Sequence, residues 1–223
     1  MPEDITTMDP FSKFLRRHPQ LGKRVLKLNW EGQSLLDARR VKAAERKFHE
    51  AIRICECAIP ALNNLALCAQ LRGDTKRAIR TANKALEYHP TDVFAHCTLA
   101  ECYEELGQTE KARSHAERAI TLLEDPDVPL DKLTKVIEAL AQLRWDEKIC
   151  QVYRSYQEGV GIEDVLDGIS WFYLGVAAAN LGRMDEALFH WERARKKDPE
   201  MAVTDLYATV MLLVQNGKVP PFR

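Results

Sequence analysis

No stretch of this sequence approaches the roughly 18 apolar residues of a membrane span. No apolar run of roughly 7–15 residues follows Met1-Pro2-Glu3-Asp4 to make a secretory signal. The chain also lacks an excess of either charge, with 32 Lys and Arg against 33 Asp and Glu. It has no Gly-rich phosphate loop, no H-E-x-x-H, no G-x-S-x-G and no zinc-spaced set of cysteines. The histidines (His18, His49, His89, His96, His115 and His190) are scattered, and the carboxylates form no obvious pair. Glu104 and Glu105, for instance, project in different directions from a helix. The expectation is a chain that is not an enzyme and holds neither cofactor nor metal.

The six cysteines are Cys55, Cys57, Cys68, Cys97, Cys102 and Cys150. They fall inside helical segments that need no staple, so packed thiols in a reducing cytoplasm are expected. Cys55 and Cys57 form a C-x-C whose side chains would point to different faces of a helix. A metal would want better-converging ligands. A cytoplasmic location follows from the same features.

What is present is repetition. Ala44, Ala78 and Ala112 are 34 residues apart, and Ala51, Ala85 and Ala119 follow each by seven. The offset recurs as Ala187 and Ala194. Self-similarity at this period marks a stack of one supersecondary unit, which presents a long concave surface. Binding is therefore the expected role.

Each unit reads as helix, short turn, helix. Leu62, Leu65, Ala66 and Ala69 recur at helical spacing before Arg72-Gly73-Asp74 interrupts them. Gly73 permits a left-handed turn, Asp74 can cap the next helix, and Pro90 stops it. The next unit repeats this with Leu99, Ala100 and Tyr103, then Gly107, then Ala112, Ala116 and Ala119. Small residues at these points let two helices approach closely.

The stretch Trp171–Pro199 resembles a tetratricopeptide repeat. Trp171, Leu174 and Gly175 match its W-x-x-L-G opening, Gly182 the turn, and Ala187, Trp191, Ala194 and Pro199 the second helix and its stop. The first unit fits more loosely through Gly32, Leu35, Ala44, Phe48 and Ala51, without the turn glycine or the proline. The resemblance implies an all-α fold, a right-handed α-solenoid of stacked antiparallel helix pairs, and a role in protein–protein recognition.

The expected organisation is an N-terminal extension (1–24) with a short helix opened by Asp9-Pro10 and broken at Pro19. A repeat domain (25–201) follows, with units at 25–58, 59–92, 93–126 and 168–201. Ala119 to Ala194 spans 75 residues, two periods and seven more. A degenerate unit is therefore expected at 127–167, with helices at 130–143 and 146–157 carrying Ile137, Leu140, Ile149, Tyr153 and Tyr156 inward. Residues 202–223 form a C-terminal segment, where Met201–Asn216 reads as a helix with Val210–Val214 apolar on too many sides. It would be covered by a dimer mate, giving a homodimer, or by a segment of a natural chain that continues.

By the resemblance, the first helix of each unit lines the groove. The candidate partner-binding residues are Asn29, Gln33, Asn63, Leu67, Gln70, Phe94, Cys97, Glu101, Glu105, Phe172 and Val176. Family members that clamp a C-terminal carboxylate use cations that are missing here, and only Asn64 matches, so that mode is not expected.

Residues 12–53 carry twelve Lys/Arg against four acids. Lys23, Arg24 and Lys27 mark a basic face, read chiefly as solvated or docked on the protein's own acidic remainder. The expected function is a scaffold binding a protein or peptide partner in its groove. The alternative is a nucleic-acid-associated regulator using the basic face, disfavoured because no helix-turn-helix or aromatic-interleaved basic motif accompanies it.

Overall fold

The computed structural model describes residues 8–125, 128–157 and 161–200. Among them every regular element is a helix. In order these are α1 (Pro10–Arg17), α2 (Pro19–Asp37), α3 (Val41–Ile54), α4 (Ile59–Leu71), α5 (Thr75–Tyr88) and α6 (Val93–Glu105). They continue as α7 (Thr109–Leu123), α8 (Lys132–Gln142), α9 (Asp146–Gln157), α10 (Ile162–Val165), α11 (Gly168–Asn180) and α12 (Met184–Lys197). The chain is an α-solenoid of helix pairs divided into two compact units, residues 1–115 and 116–223.

Caps and turns set the helix boundaries. The Asp9 carboxylate accepts from the Phe11 and Ser12 amides and starts α1 with Pro10 in its first turn. Asp74, Asp92 and Asp167 cap α5, α6 and α11 in the same way. Pro19 does not merely break α1: it begins α2, where the missing N–H costs nothing. The turns within pairs use left-handed residues, Gly73, Gly107 and Gly182 at φ of 71°, 69° and 75°. At the corresponding place in the first pair, Arg39 takes φ 59°, and Arg144 takes φ 51° between α8 and α9. The turn missing its glycine is therefore made in the same conformation by an arginine.

In the first unit, α2 packs on α3, α3 on α4, α4 on α5 and α5 on α6, while α4 also touches α2 and α6. Ala44, Phe48, Ala51, Ala82 and Ala85 are buried in its core. Gly32 of α2 lies against the Phe48 ring, and a Cβ there would collide with it. A buried carboxylate ties successive pairs together. Glu45 of α3 is 8% exposed and accepts from Arg72 at 2.9 Å and from Arg77 at 3.0 Å.

In the second unit, α8 packs on α9, both touch α11, and α11 packs on α12. Here Gly175 lies against the indole of Trp191, repeating the Gly32–Phe48 arrangement. Ile137, Leu140, Ile149 and Tyr153 are buried and Tyr156 is half-buried. The long connection after α9 contains the one-turn helix α10. The apolar helix expected at 201–216, and the homodimer read from it, lie outside the described residues. No helix among those described is long and apolar enough to cross a membrane.

Candidate functional site

In the first unit, α2, α4 and α6 are successive first helices, and their polar side chains meet across the seams. Asn64 Nδ2 of α4 donates to Asn29 Oδ1 of α2 at 3.0 Å. Asn63 Nδ2 donates to the Asp92 carboxylate at 2.7 Å, and Gln70 Nε2 to Glu101 Oε2 at 2.8 Å. Thr75 Oγ1, just beyond α4, donates to Glu105 Oε2 at 2.9 Å. Asn29 also lies 3.5 Å from Gln33 Oε1, one turn further along α2. The structure thus joins six of the sequence-derived candidates, Asn29, Gln33, Asn63, Gln70, Glu101 and Glu105, to each other or to neighbours in this polar seam.

Two candidates are corrected in their exposure. Cys97 is fully buried, and Glu101 is 5% exposed. Both belong to α6, which is covered along nearly its whole length from Val93 to Cys102, so its fifth and ninth positions do not open to solvent. Phe94 is half-buried and Glu105 exposed. Phe172 and Val176 belong to the second unit, where both are half-buried against Ala178, Ala179, Ala187 and Trp191.

Beside the polar seam lies exposed apolar surface. Leu26 and Trp30 sit one turn apart on α2 with 46% and 67% exposure, and Leu67 and Leu71 sit one turn apart on α4 with 37% and 56%. Trp30 is absent from the sequence-derived set because it holds the sixth repeat position, between the positions taken as groove-lining. A large aromatic flanked by the polar residues Asn29 and Glu31 was the available signal. The basic residues Lys23, Arg24 and Lys27 are all exposed. Lys27 lies 4.0 Å from Glu31, which Lys47 approaches more closely at 2.7 Å.

No group of three or more His, Cys, Asp or Glu side chains among the described residues could hold a metal. The cysteines of the C-x-C correct another expectation. They do not diverge on a helix, because α3 ends at Ile54 and the chain turns, bringing Cys55 Sγ and Cys57 Sγ to 3.2 Å.

A tetratricopeptide repeat model matches residues 60–125, and a second matches residues 169–201. A chain of the APC/C hetero-tetramer Cut9-Hcn1 is similar in fold, with a TM-score of 0.64 and 17% identity over 95% of this chain. The present chain spans only 39% of that one. TTC0263, a thermophilic TPR protein of Thermus thermophilus, gives a TM-score of 0.62 and 22% identity, covering 85% of this chain and all of that one. No curated protein matches the chain in sequence. Stacked helix pairs, glycine set against an aromatic ring in two of them, and both repeat matches agree: this chain is a tetratricopeptide repeat protein, a member of a family of protein-interaction scaffolds.

Proposed function

We propose that the first unit binds an extended segment of a partner protein along α2, α4 and α6. The observation that carries this reading is the group of four exposed apolar side chains, Leu26, Trp30, Leu67 and Leu71, on two helices joined by the Asn64–Asn29 hydrogen bond. Covering one large apolar side chain is worth about 1.5–3 kcal/mol, and these four are concentrated beside amides that can pair with a peptide backbone. The lysines Lys23 and Lys27 lie on α2, while Glu104 and Glu105 end α6. A ligand with apolar anchors, acids toward α2 and bases toward α6 complements that arrangement.

Selection of displayed peptides on the immobilised chain tests this. The expected consensus has aromatic or aliphatic residues with acids at one end. Trp30→Ala/Leu71→Ala should lose at least tenfold in affinity while keeping the helical circular dichroism of the wild type. Binding unchanged in that variant would overturn the proposal. So would binding that is confined to nucleic acid, falls steeply with salt, and disappears on charge reversal at Lys23, Arg24 and Lys27.

A further inference from the structure

The turn between α3 and α4 holds a pair of sulfurs that partner binding does not use. Cys55 leaves the helix in extended backbone, at φ −141° and ψ 106°. The turn is closed by the Ala58 amide donating to Cys55 O at 3.1 Å and the Ile59 amide donating to Cys57 O at 2.8 Å. This unwinding directs two side chains that a continuous helix would separate toward one another, with Sγ···Sγ at 3.2 Å. The two thiols differ in access. Cys55 is 4% exposed and belongs to the first unit's core, while Cys57 is half-buried, the other five cysteines all being buried.

We propose that Cys55 and Cys57 form a dithiol that closes to an intramolecular disulfide by exchange with a small disulfide of the glutathione class. Cys57 gives up its proton, and its thiolate attacks one sulfur of the oxidised reagent. The reagent's S–S bond breaks, and one reduced thiol leaves carrying a proton. Cys55 then attacks Cys57 Sγ in the mixed disulfide, its proton passing to the second leaving thiol. The protein loses two electrons and two protons, and the reagent gains both. Closure moves the sulfurs from 3.2 Å to the covalent distance of about 2.05 Å, a displacement that turn residues can absorb.

Access and acidity set the order of the steps. Burial, reinforced by the Cys57 sulfur, pushes the Cys55 thiol up to about 12. Cys55 therefore stays protonated and hidden until a mixed disulfide forms beside it, and Cys57 meets the reagent first. Cys68 is also buried and also pushed up to about 12, but it lies outside this turn and stays inert.

The test incubates the full chain in mixtures of reduced and oxidised glutathione, blocks the remaining thiols by alkylation and maps the peptides by mass spectrometry. The expected product is a peptide lighter by two hydrogens that links Cys55 to Cys57, with the other four cysteines alkylated only after denaturation. Cys55→Ser should trap a glutathione adduct on Cys57, and Cys57→Ser should leave Cys55 unmodified. Wild-type chain that accumulates the Cys57 adduct without closure would overturn the proposal. So would wild-type chain whose Cys57 remains reduced while its buried cysteines oxidise. Wild-type mapping decides the matter even where a variant fails to fold.

Discussion

The contact of Gly32 with the Phe48 ring yields a prediction whose sign depends on its background. A Cβ on Gly32 would overlap the Phe48 ring, which is fully buried and cannot swing into solvent. Gly32→Ala should therefore destabilise the wild type by about 1–3 kcal/mol, the range for an overpacked core. Phe48→Ala should cost about 3–5 kcal/mol, because it removes a buried ring and leaves a cavity. With the ring gone, the added Cβ has room, and alanine is the better helix former by about 0.8–1 kcal/mol. Gly32→Ala in the Phe48→Ala background should then be neutral or stabilising. The double variant reproduces the alanine pair that the second repeat already uses, Ala66 with Ala82, both fully buried in the same core. Urea unfolding of the four proteins, followed by circular dichroism, closes the cycle. Additive effects would refute the argument, since they would mean that the glycine does not answer to the ring.

Three further outcomes follow from the fold. Arg39→Gly should raise the midpoint of thermal unfolding and stabilise by about 0.5–1 kcal/mol, relieving left-handed strain of about 1–2 kcal/mol at some cost in unfolded-chain entropy; a lowered midpoint would mean that the arginine side chain contributes more than its backbone costs. His190 is buried against Tyr153, Trp171 and Phe189, and burial holds its imidazole down at about 4, below the ordinary 6.5. Between those values the unfolded chain binds the proton and the folded chain does not, so the neutral imidazole's stabilisation is present above pH 6.5 and is lost as pH falls toward 4. The loss is on the order of 3 kcal/mol, and His190→Gln should remove this part of the pH dependence in unfolding titrations. Glu45→Gln should destabilise by about 1–3 kcal/mol, because Arg72 and Arg77 lose the charge they share, and 1 M salt should shrink the difference in unfolding free energy only in part, the carboxylate being buried.

The helix pairs were legible because their small residues obey one spacing, and Ala44, Ala78 and Ala112 are each fully buried. Between the regular units the signature residues are gone, and Ile137 and Leu140 of α8 and Ile149 of α9 are buried apolar positions that periodicity alone offers. Local backbone was harder to read. The missing glycine at Arg39 looked like a departure from the pattern, but a left-handed arginine costs too little to abolish the turn. Cys55 and Cys57 were misread because helix α3 was extended past Ile54, and one unwound residue reverses the direction of a side chain. At the candidate site, repeat position supplied a groove-lining set but neither the pairing of its polar members across the helices nor the exposure of each. Leu67 and Glu101 both occupy the ninth position of their helices, yet one is open and the other sealed, since coverage depends on how neighbouring helices enclose each one. Trp30, which belongs to the proposed surface, stands one position from the sequence-derived set, about 100° around the helix axis.

The polar seam on α2, α4 and α6 has a consequence for selectivity. Its amides and carboxylates already pair with one another before any ligand arrives. An incoming backbone therefore gains only the difference between the bonds it makes and those it displaces, which is small when the exchange is complete and unfavourable when it is not. In the proposed binding mode, a segment that left Asn63 or Gln70 without a replacement partner would be rejected, however well its apolar residues fit. On the proposed mode of binding, the seam would act as a filter: attraction would come from the tryptophan and leucines, and discrimination from groups that contribute almost nothing to net affinity.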